Sequence, residues 1–362
     1  MQLRVKFFVV LALLTSVPLL VLLFGVVDRM EHEVQARTEI ELHTTLDKMA
    51  DELDLIINNQ KAIANGLSRV PAIKDFADIA YQNKKIGKNT LYHERAEQLE
   101  NFFLNYQHAV PSIQAIRFID NSGKTLVKVK EGKPIEAKQR DDLMGRMFIV
   151  DQSNRPFFKE ALVKKDGVVM SDFELGQVAA GADFCPAMVR YSVPIKDELD
   201  NIQAVLVANM WGTQLDATMQ TALGGYPGTA YIVEVSNNKH RDGIYLYHPD
   251  NDKRFANQVK SHYRLSSELV NPEWLSIKNA AIYGSLFRDD GRMLFYRKMS
   301  PYSDRDTKWL LVIETDRDTL FAPIDNMRNS IWWLLGVLLV ISLLVAMWAS
   351  GKLAAPIHNL AE

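Results

Sequence analysis

The chain of 362 residues holds a single cysteine, Cys185, so no intramolecular disulfide can brace it and any folded region rests on its own apolar core. It also lacks an excess of charge: Lys and Arg number 42 against 44 Asp and Glu, the net charge is -2, and no run of basic residues interrupts the balance. A nucleic-acid partner is excluded on that ground, because phosphate binding needs a basic face. None of the 8 histidines forms an H-E-x-x-H pair, and His240 and His248 are separated by a turn and a strand. There is no G-x-S-x-G elbow, no P-loop and no Rossmann glycine fingerprint. Gly224-Gly225-Tyr226-Pro227-Gly228 lacks the lysine of a phosphate loop and reads as a connector, and Asp250-Asn251-Asp252-Lys253-Arg254 reads as a surface turn. These absences leave no catalytic residue, no metal ligand set and no cofactor to propose.

Two long uncharged apolar runs are present instead. Residues 7–27 and 331–349 are each long enough, at about 1.5 Å per residue, to cross a hydrocarbon core about 30 Å thick. Arg4 and Lys6 precede the first run, whereas Asp28, Glu31 and Glu33 follow it with Arg29 among them, which keeps residues 1–6 in the cytoplasm. The second run then returns to the cytoplasm, in accord with Lys352 beyond it and against Arg328 before it. The first run reads as an uncleaved anchor. A signal peptide has an apolar region of about 7–15 residues and a small-residue cleavage site, and Gly25-Val26-Val27-Asp28 offers none. The chain is thus expected in the bacterial plasma membrane, in contact with the lipid bilayer, with roughly 300 residues outside, ample for a core.

Residues 28–106 read as helical. Leu42, Leu46, Met49, Leu53, Ile56, Ile63 and Leu67 step by fours and threes, with Gln60 in the one polar slot, a seam that serves packing onto the chain's own domain or pairing with a second copy. A polar loop interrupts the helix near residues 83–88. Strand texture then begins: residues 113–129 read as strand, Asp120-Asn121-Ser122-Gly123 turn and strand, residues 156–163 as a short helix, and 168–173, 187–194 and 203–210 as further strands. A second series follows at 229–235, 244–248, 285–287, 293–299 and 309–314. The expected fold class is α+β: two tandem modules with antiparallel sheets, at 107–223 and 224–318, on a long N-terminal helix and flanked by two transmembrane helices. Residues 319–330 form a helix running into the second span, so the second module lies nearer the membrane.

These residues resemble double Cache domains, the PAS-like extracytoplasmic sensors of histidine kinases, diguanylate cyclases and chemoreceptors. Asn154-Arg155-Pro156-Phe157-Phe158-Lys159-Glu160-Ala161 resembles the family's Arg-Pro-aromatic-aromatic segment. Ser171-Asp172-Phe173-Glu174-Leu175, Arg190-Tyr191-Ser192-Val193-Pro194 and Ala204-Val205-Leu206-Val207-Ala208-Asn209 resemble later strands of the first module, and Ile244-Tyr245-Leu246-Tyr247-His248-Pro249-Asp250 a strand of the second. Pro356-Ile357-His358-Asn359-Leu360, within residues 350–362, resembles the start of a HAMP linker, which implies a cytoplasmic output beyond it.

The resemblance implies a small-molecule ligand in the first module. By analogy Arg155 takes a ligand carboxylate, for which a guanidinium offers a planar two-pronged donor, and Phe157 and Phe158 wall the pocket. Asp172, Phe173, Arg190, Tyr191 and Trp211 are further candidates. Amino-acid receptors of the family carry acids where this chain has Leu175 and Asn209, so the resemblance points to a small carboxylate or other anion in place of a cationic amine. Each residue also has a structural reading: Arg155 as a helix-start residue, Arg190 on a strand face turned away, the phenylalanines as core. Ser342, Ala346 and Ser350 fall four apart in the second span, a spacing that suits close approach of two helices in a homodimer. An anchored extracytoplasmic enzyme and an envelope assembly factor are the competing functions.

Overall fold

The computed structural model describes residues 3–86, 89–135, 151–164, 167–176, 187–259 and 261–358. Helix α1 is one rod from Leu3 to Ser68, 66 residues and about 100 Å long, with Pro18 inside it. It is followed by α2 (Pro71–Ile86) and α3 (Thr90–Ala109), and the Asn89 side chain caps α3 by accepting from the Tyr92 amide at 2.9 Å. The polar interruption expected at 83–88 is shorter than that, because α2 runs to Ile86; residues 87 and 88 lie outside the described residues.

The first sheet is built from β1 (Ile113–Asp120), β2 (Thr125–Lys130), β3 (Lys133–Pro134), β4 (Val169–Met170), β5 (Glu174–Leu175), β6 (Ala187–Lys196) and β7 (Ile202–Trp211), with α4 (Pro156–Val163) between β3 and β4. Its order is β3-β2-β1-β7-β6-β4, with β5 also on β6 and every described pair antiparallel. The strand expected over 168–173 is instead two short pieces. Asp172 and Phe173 lie between them outside the ladder, where the Asp172 side chain accepts from Arg305 and the Phe173 ring packs on Phe255 and Trp309 of the second module. Helix α5 (Thr213–Thr221), which the apolar pattern did not announce, then leads to the second sheet.

That sheet contains β8 (Thr229–Val235), β9 (Tyr245–Tyr247), β10 (Tyr283–Phe287), β11 (Arg292–Met299) and β12 (Lys308–Asp316), ordered β10-β11-β12-β8-β9. The short helices α6 (Ala256–Val259), α7 (Leu265–Glu268) and α8 (Asn271–Asn279) lie in the β9–β10 connection. Helix α9 (Arg317–His358) leaves β12 without a break. Within it, Asn326–Ala349 is the one helical stretch among the described residues long and apolar enough to cross a membrane. The other expected span, 7–27, lies in α1, and many of its side chains fall outside the described residues. Helix α9 packs along α1, and Ala346, expected on a face for a second copy, is already only 3% exposed within the chain. The side chains of residues 350–362 lie outside the description, as does Cys185.

One core joins these parts. Leu42, Leu46, Met49, Leu53, Ile57, Ala64 and Leu67 of α1 are buried with Ile116, Phe118, Leu206 and Ala208 of the first sheet and with Ile232, Phe295, Leu311 and Ile313 of the second. The seam is that expected of α1, except that Ile57 and Ala64 take buried positions and Ile56 and Ile63 sit half-buried beside them. The sheets' opposite faces have separate coverings: α4 over the first, and Leu265, Leu269, Trp274 and Ile277 over Tyr231, Val233 and Leu310 of the second. The second sheet lies nearer the candidate span because its last strand becomes the helix that contains it.

Candidate ligand-binding site

The period of two along a strand sorts the first sheet into two chemistries. On β1, Ile116 and Phe118 enter the shared core, so Arg117 points to the opposite face, where α4 lies. Register carries that face across the sheet: Lys128 on β2 is opposite Arg117, Arg117 is opposite Val207 on β7, and Val207 is opposite Ser192 on β6. One step along, Asn209 is opposite Arg190. Helix α4 covers the apolar end of this face, burying Phe157, Phe158 and Ala161 against Ile119, Val169, Val205 and Val207. Pro156 starts that helix well, since its fixed φ suits a first turn and it has no amide hydrogen to leave unpaired.

The polar groups on this face are under tension. Lys128 is 5% exposed, and burial, then Arg117 and Lys130, push its ammonium down to about 6. Burial, then Arg190 and Arg155, push Arg117 down to about 9, which leaves it protonated at neutral pH. The Arg117 Nε, the Ser192 hydroxyl and the Asn209 Oδ1 are enclosed with no hydrogen-bond partner among the described residues. Asn209 donates through Nδ2 to Gln114 Oε1 at 3.0 Å. Arg190 lies 5.7 Å from the centre of the Phe157 ring and donates to Glu174 Oε2 at 3.0 Å. Basic groups and two unmatched donors, the Arg117 Nε and the Ser192 hydroxyl, thus share a face with an aromatic wall, and a bound anion would satisfy those donors.

Of the residues singled out from sequence, Arg155, Phe157, Phe158, Arg190, Asn209 and Trp211 share this face or its rim. Arg155 is the N-cap residue of α4 with its side chain exposed and no side-chain cap bond, and Trp211 pairs with Met188 at the sheet's end. Tyr191 faces the other way, into the core, where its hydroxyl donates to Gln60 Oε1 at 2.9 Å. Asp172 and Phe173 lie between the modules. Asp172 accepts from Arg305 Nη1 at 2.6 Å, and Phe173 is fully buried with ring centres 5.6 Å from Phe255 and 5.9 Å from Trp309. Gly212 makes room for it, since a Cβ there would come within 2.4 Å of the Phe173 ring.

Arg117, Lys128 and Ser192 were missed. The signal was present in Ile116-Arg117-Phe118 and Val127-Lys128-Val129, but alternation of this kind reads equally as a solvated face until α4 is seen to cover it.

Between the modules a second charged cluster is buried. Arg241 follows β8, is 7% exposed, and donates to Glu234 through Nε at 2.7 Å and Nη2 at 2.6 Å. Its Nη2 also reaches the Phe173 carbonyl at 3.2 Å, and Nη1 stands 3.8 Å from Glu174 Oε1. Burial pushes the Glu234 carboxyl up against the pull of Arg241, and burial opposes the upward shift of Arg241 that Glu234 and Asp172 produce.

No protein-family model and no curated protein matches the chain. Solved structures do. The extracellular domain of vpHK1S-Z8, assigned as a histidine kinase, superposes with a TM-score of 0.57 at 18% identity, over 80% of this chain and 94% of that one. A domain assigned to a sensory box/GGDEF family protein of Vibrio parahaemolyticus gives 0.57 at 18% identity, over 79% of this chain and 98% of that one. The sensory domain of the Campylobacter jejuni chemoreceptor Tlp3, with isoleucine bound, gives 0.51 at 14% identity over 80% and 96%. The fold is that of Cache-like extracellular sensory domains. In this frame the basic face of the first sheet is the candidate binding surface, and the last strand of the second sheet leads into the candidate span.

Proposed function

We propose that this chain is the sensing portion of a bacterial plasma-membrane receptor. It binds a small organic anion, a carboxylate foremost, on the outer face of the first sheet and passes the event through the second module to α9. Two spans, 7–27 and 331–349, hold it in the membrane, a homodimer is its working form, and its output is of the histidine kinase type ahead of a diguanylate cyclase or chemotaxis type. The observation that carries the ligand class is the placement of Arg117, Lys128 and Arg190 on one face with the unmatched Arg117 Nε and Ser192 hydroxyl donors. Isoleucine, bound by the Tlp3 domain, is a zwitterion whose ammonium needs an acid. By the family resemblance this chain carries Leu175 and Asn209 where amino-acid receptors carry acids, and Glu174 is engaged by Arg190.

The test is a thermal-shift screen of the full chain in detergent micelles against small carboxylates, inorganic phosphate, amines and amino acids. A ligand at 100 times its Kd should stabilise by about 2.7 kcal/mol. Stabilisation by amines with none from any anion would overturn the ligand class.

A further inference from the structure

Glu174 touches cations of both modules. Its Oε2 accepts from Arg190 Nη1 at 3.0 Å on the sensing face, and its Oε1 stands 3.8 Å from Arg241 Nη1 of the second module. The strand that carries it, β5, is already tied to that module: the Leu175 amide donates to Gln258 Oε1 at 2.9 Å, and the Leu175 carbonyl accepts from Gln258 Nε2 at 3.4 Å. Next to it, Asp172 is held by Arg305 and lies 3.5 Å from Arg241 Nε, and Phe173 is clamped between Phe255 and Trp309. A short segment, Asp172 to Leu175, therefore joins a cation of the sensing face to the buried Arg241–Glu234 pair.

We propose that Glu174 is a resident counter-ion that an incoming anion displaces from Arg190, and that the freed carboxylate closes onto Arg241, drawing β5 toward the second module. The proposal rests on the anion reading given above. Its geometry needs little movement, since closing 3.8 Å to an ordinary charge-assisted bond of about 2.8 Å is a shift of roughly 1 Å. Its energetics follow from competition. A ligand carboxylate and Glu174 seek the same guanidinium, so the resident acid lowers affinity and sets a threshold, while its transfer gives the bound and free states different inter-module contacts, without which no ligand can shift an equilibrium. In this account Glu174 is a positioning residue that touches the ligand's partner and not the ligand.

The experiment titrates malonate, acetate and inorganic phosphate into the full chain in lipid nanodiscs by calorimetry, and follows hydrogen exchange of the Leu175 amide with and without saturating anion. In the wild type, anion should raise protection of that amide. Glu174→Gln, which keeps size but not charge on a side chain 33% exposed, should bind the same anion about fivefold tighter and lose the rise in protection. Glu174→Ala should move both readouts in the same sense, and Arg190→Gln should weaken binding. A Glu174→Gln variant that binds as the wild type or more weakly, with Arg190→Gln still impaired, overturns the displacement and leaves the anion reading standing. If none of the three anions binds the wild type, the anion reading falls and the displacement with it.

Discussion

Tyr191 donates a hydrogen bond of 2.9 Å to Gln60, and so ties the middle of the first sheet to the one polar position on the buried stripe of α1. Gln60 is 2% exposed, and its amide also donates to Gln214 at 3.2 Å. Tyr191→Phe strands the Gln60 carbonyl oxygen in an apolar core and should cost about 1–3 kcal/mol in urea unfolding. Pairing it with Gln60→Leu removes both partners and should recover most of the loss. Additive losses in that double-mutant cycle would show that the bond is not what places Gln60 there.

Phe173 fixes the modules to each other, because its ring comes from the first sheet's margin and its neighbours, Phe255 and Trp309, from the second. Phe173→Ala should cost about 3–5 kcal/mol and split a single calorimetric unfolding peak of the two-sheet region into two. Gly212→Ala should act in the same direction, since its new methyl group would occupy the space the ring fills.

How far the sequence was legible follows from the range of each signal. Helix α4 begins and ends where Pro156 and the apolar pattern put it, and β8 likewise, because local propensity and periodicity act over a few residues. Gln60 stood out on α1 as the polar member of an apolar stripe, and it is the residue that binds Tyr191. Strand breakage at Asp172 and Phe173 was not legible, since its cause is Arg305, Phe255 and Trp309, more than 80 residues further along the chain by numbering. The candidate site shows the same division. The resemblance pointed to Arg155 and the phenylalanines, yet the buried basic groups of the face are Arg117 and Lys128, and their burial depends on register between β1 and β2 and on α4 lying above them.

A site that keeps an ionisable amine buried beside a guanidinium weakens the fold it sits in. Lys128→Met, which preserves length and removes the ionisable amine, should raise the stability of the ligand-free chain by about 0.5–2 kcal/mol and weaken anion binding at least tenfold. Arg117→Gln should show the same opposition between stability and binding. Thermal unfolding and calorimetry on one preparation read both quantities. A variant that loses stability and keeps its anion affinity would place Lys128 in the scaffold alone.

The depressed ammonium of Lys128 gives the last prediction a definite sign. Its ordinary value is 10.5 and the folded chain holds it at about 6, so between those limits the unfolded chain binds a proton that the folded chain does not. Stability of the ligand-free protein should therefore rise with pH across that window and fall as pH drops toward 6. An anion on the sensing face favours the charged form, so binding at pH 7.5 should take up as much as one proton. Affinity should then decline by up to tenfold per pH unit above about 6, until the bound form's own raised value is reached. Calorimetry in two buffers of different ionisation enthalpy measures that uptake directly. Equal apparent enthalpies in both would mean that Lys128 is already charged before the ligand arrives, and the cationic pull on the anion would then be constant across neutral pH.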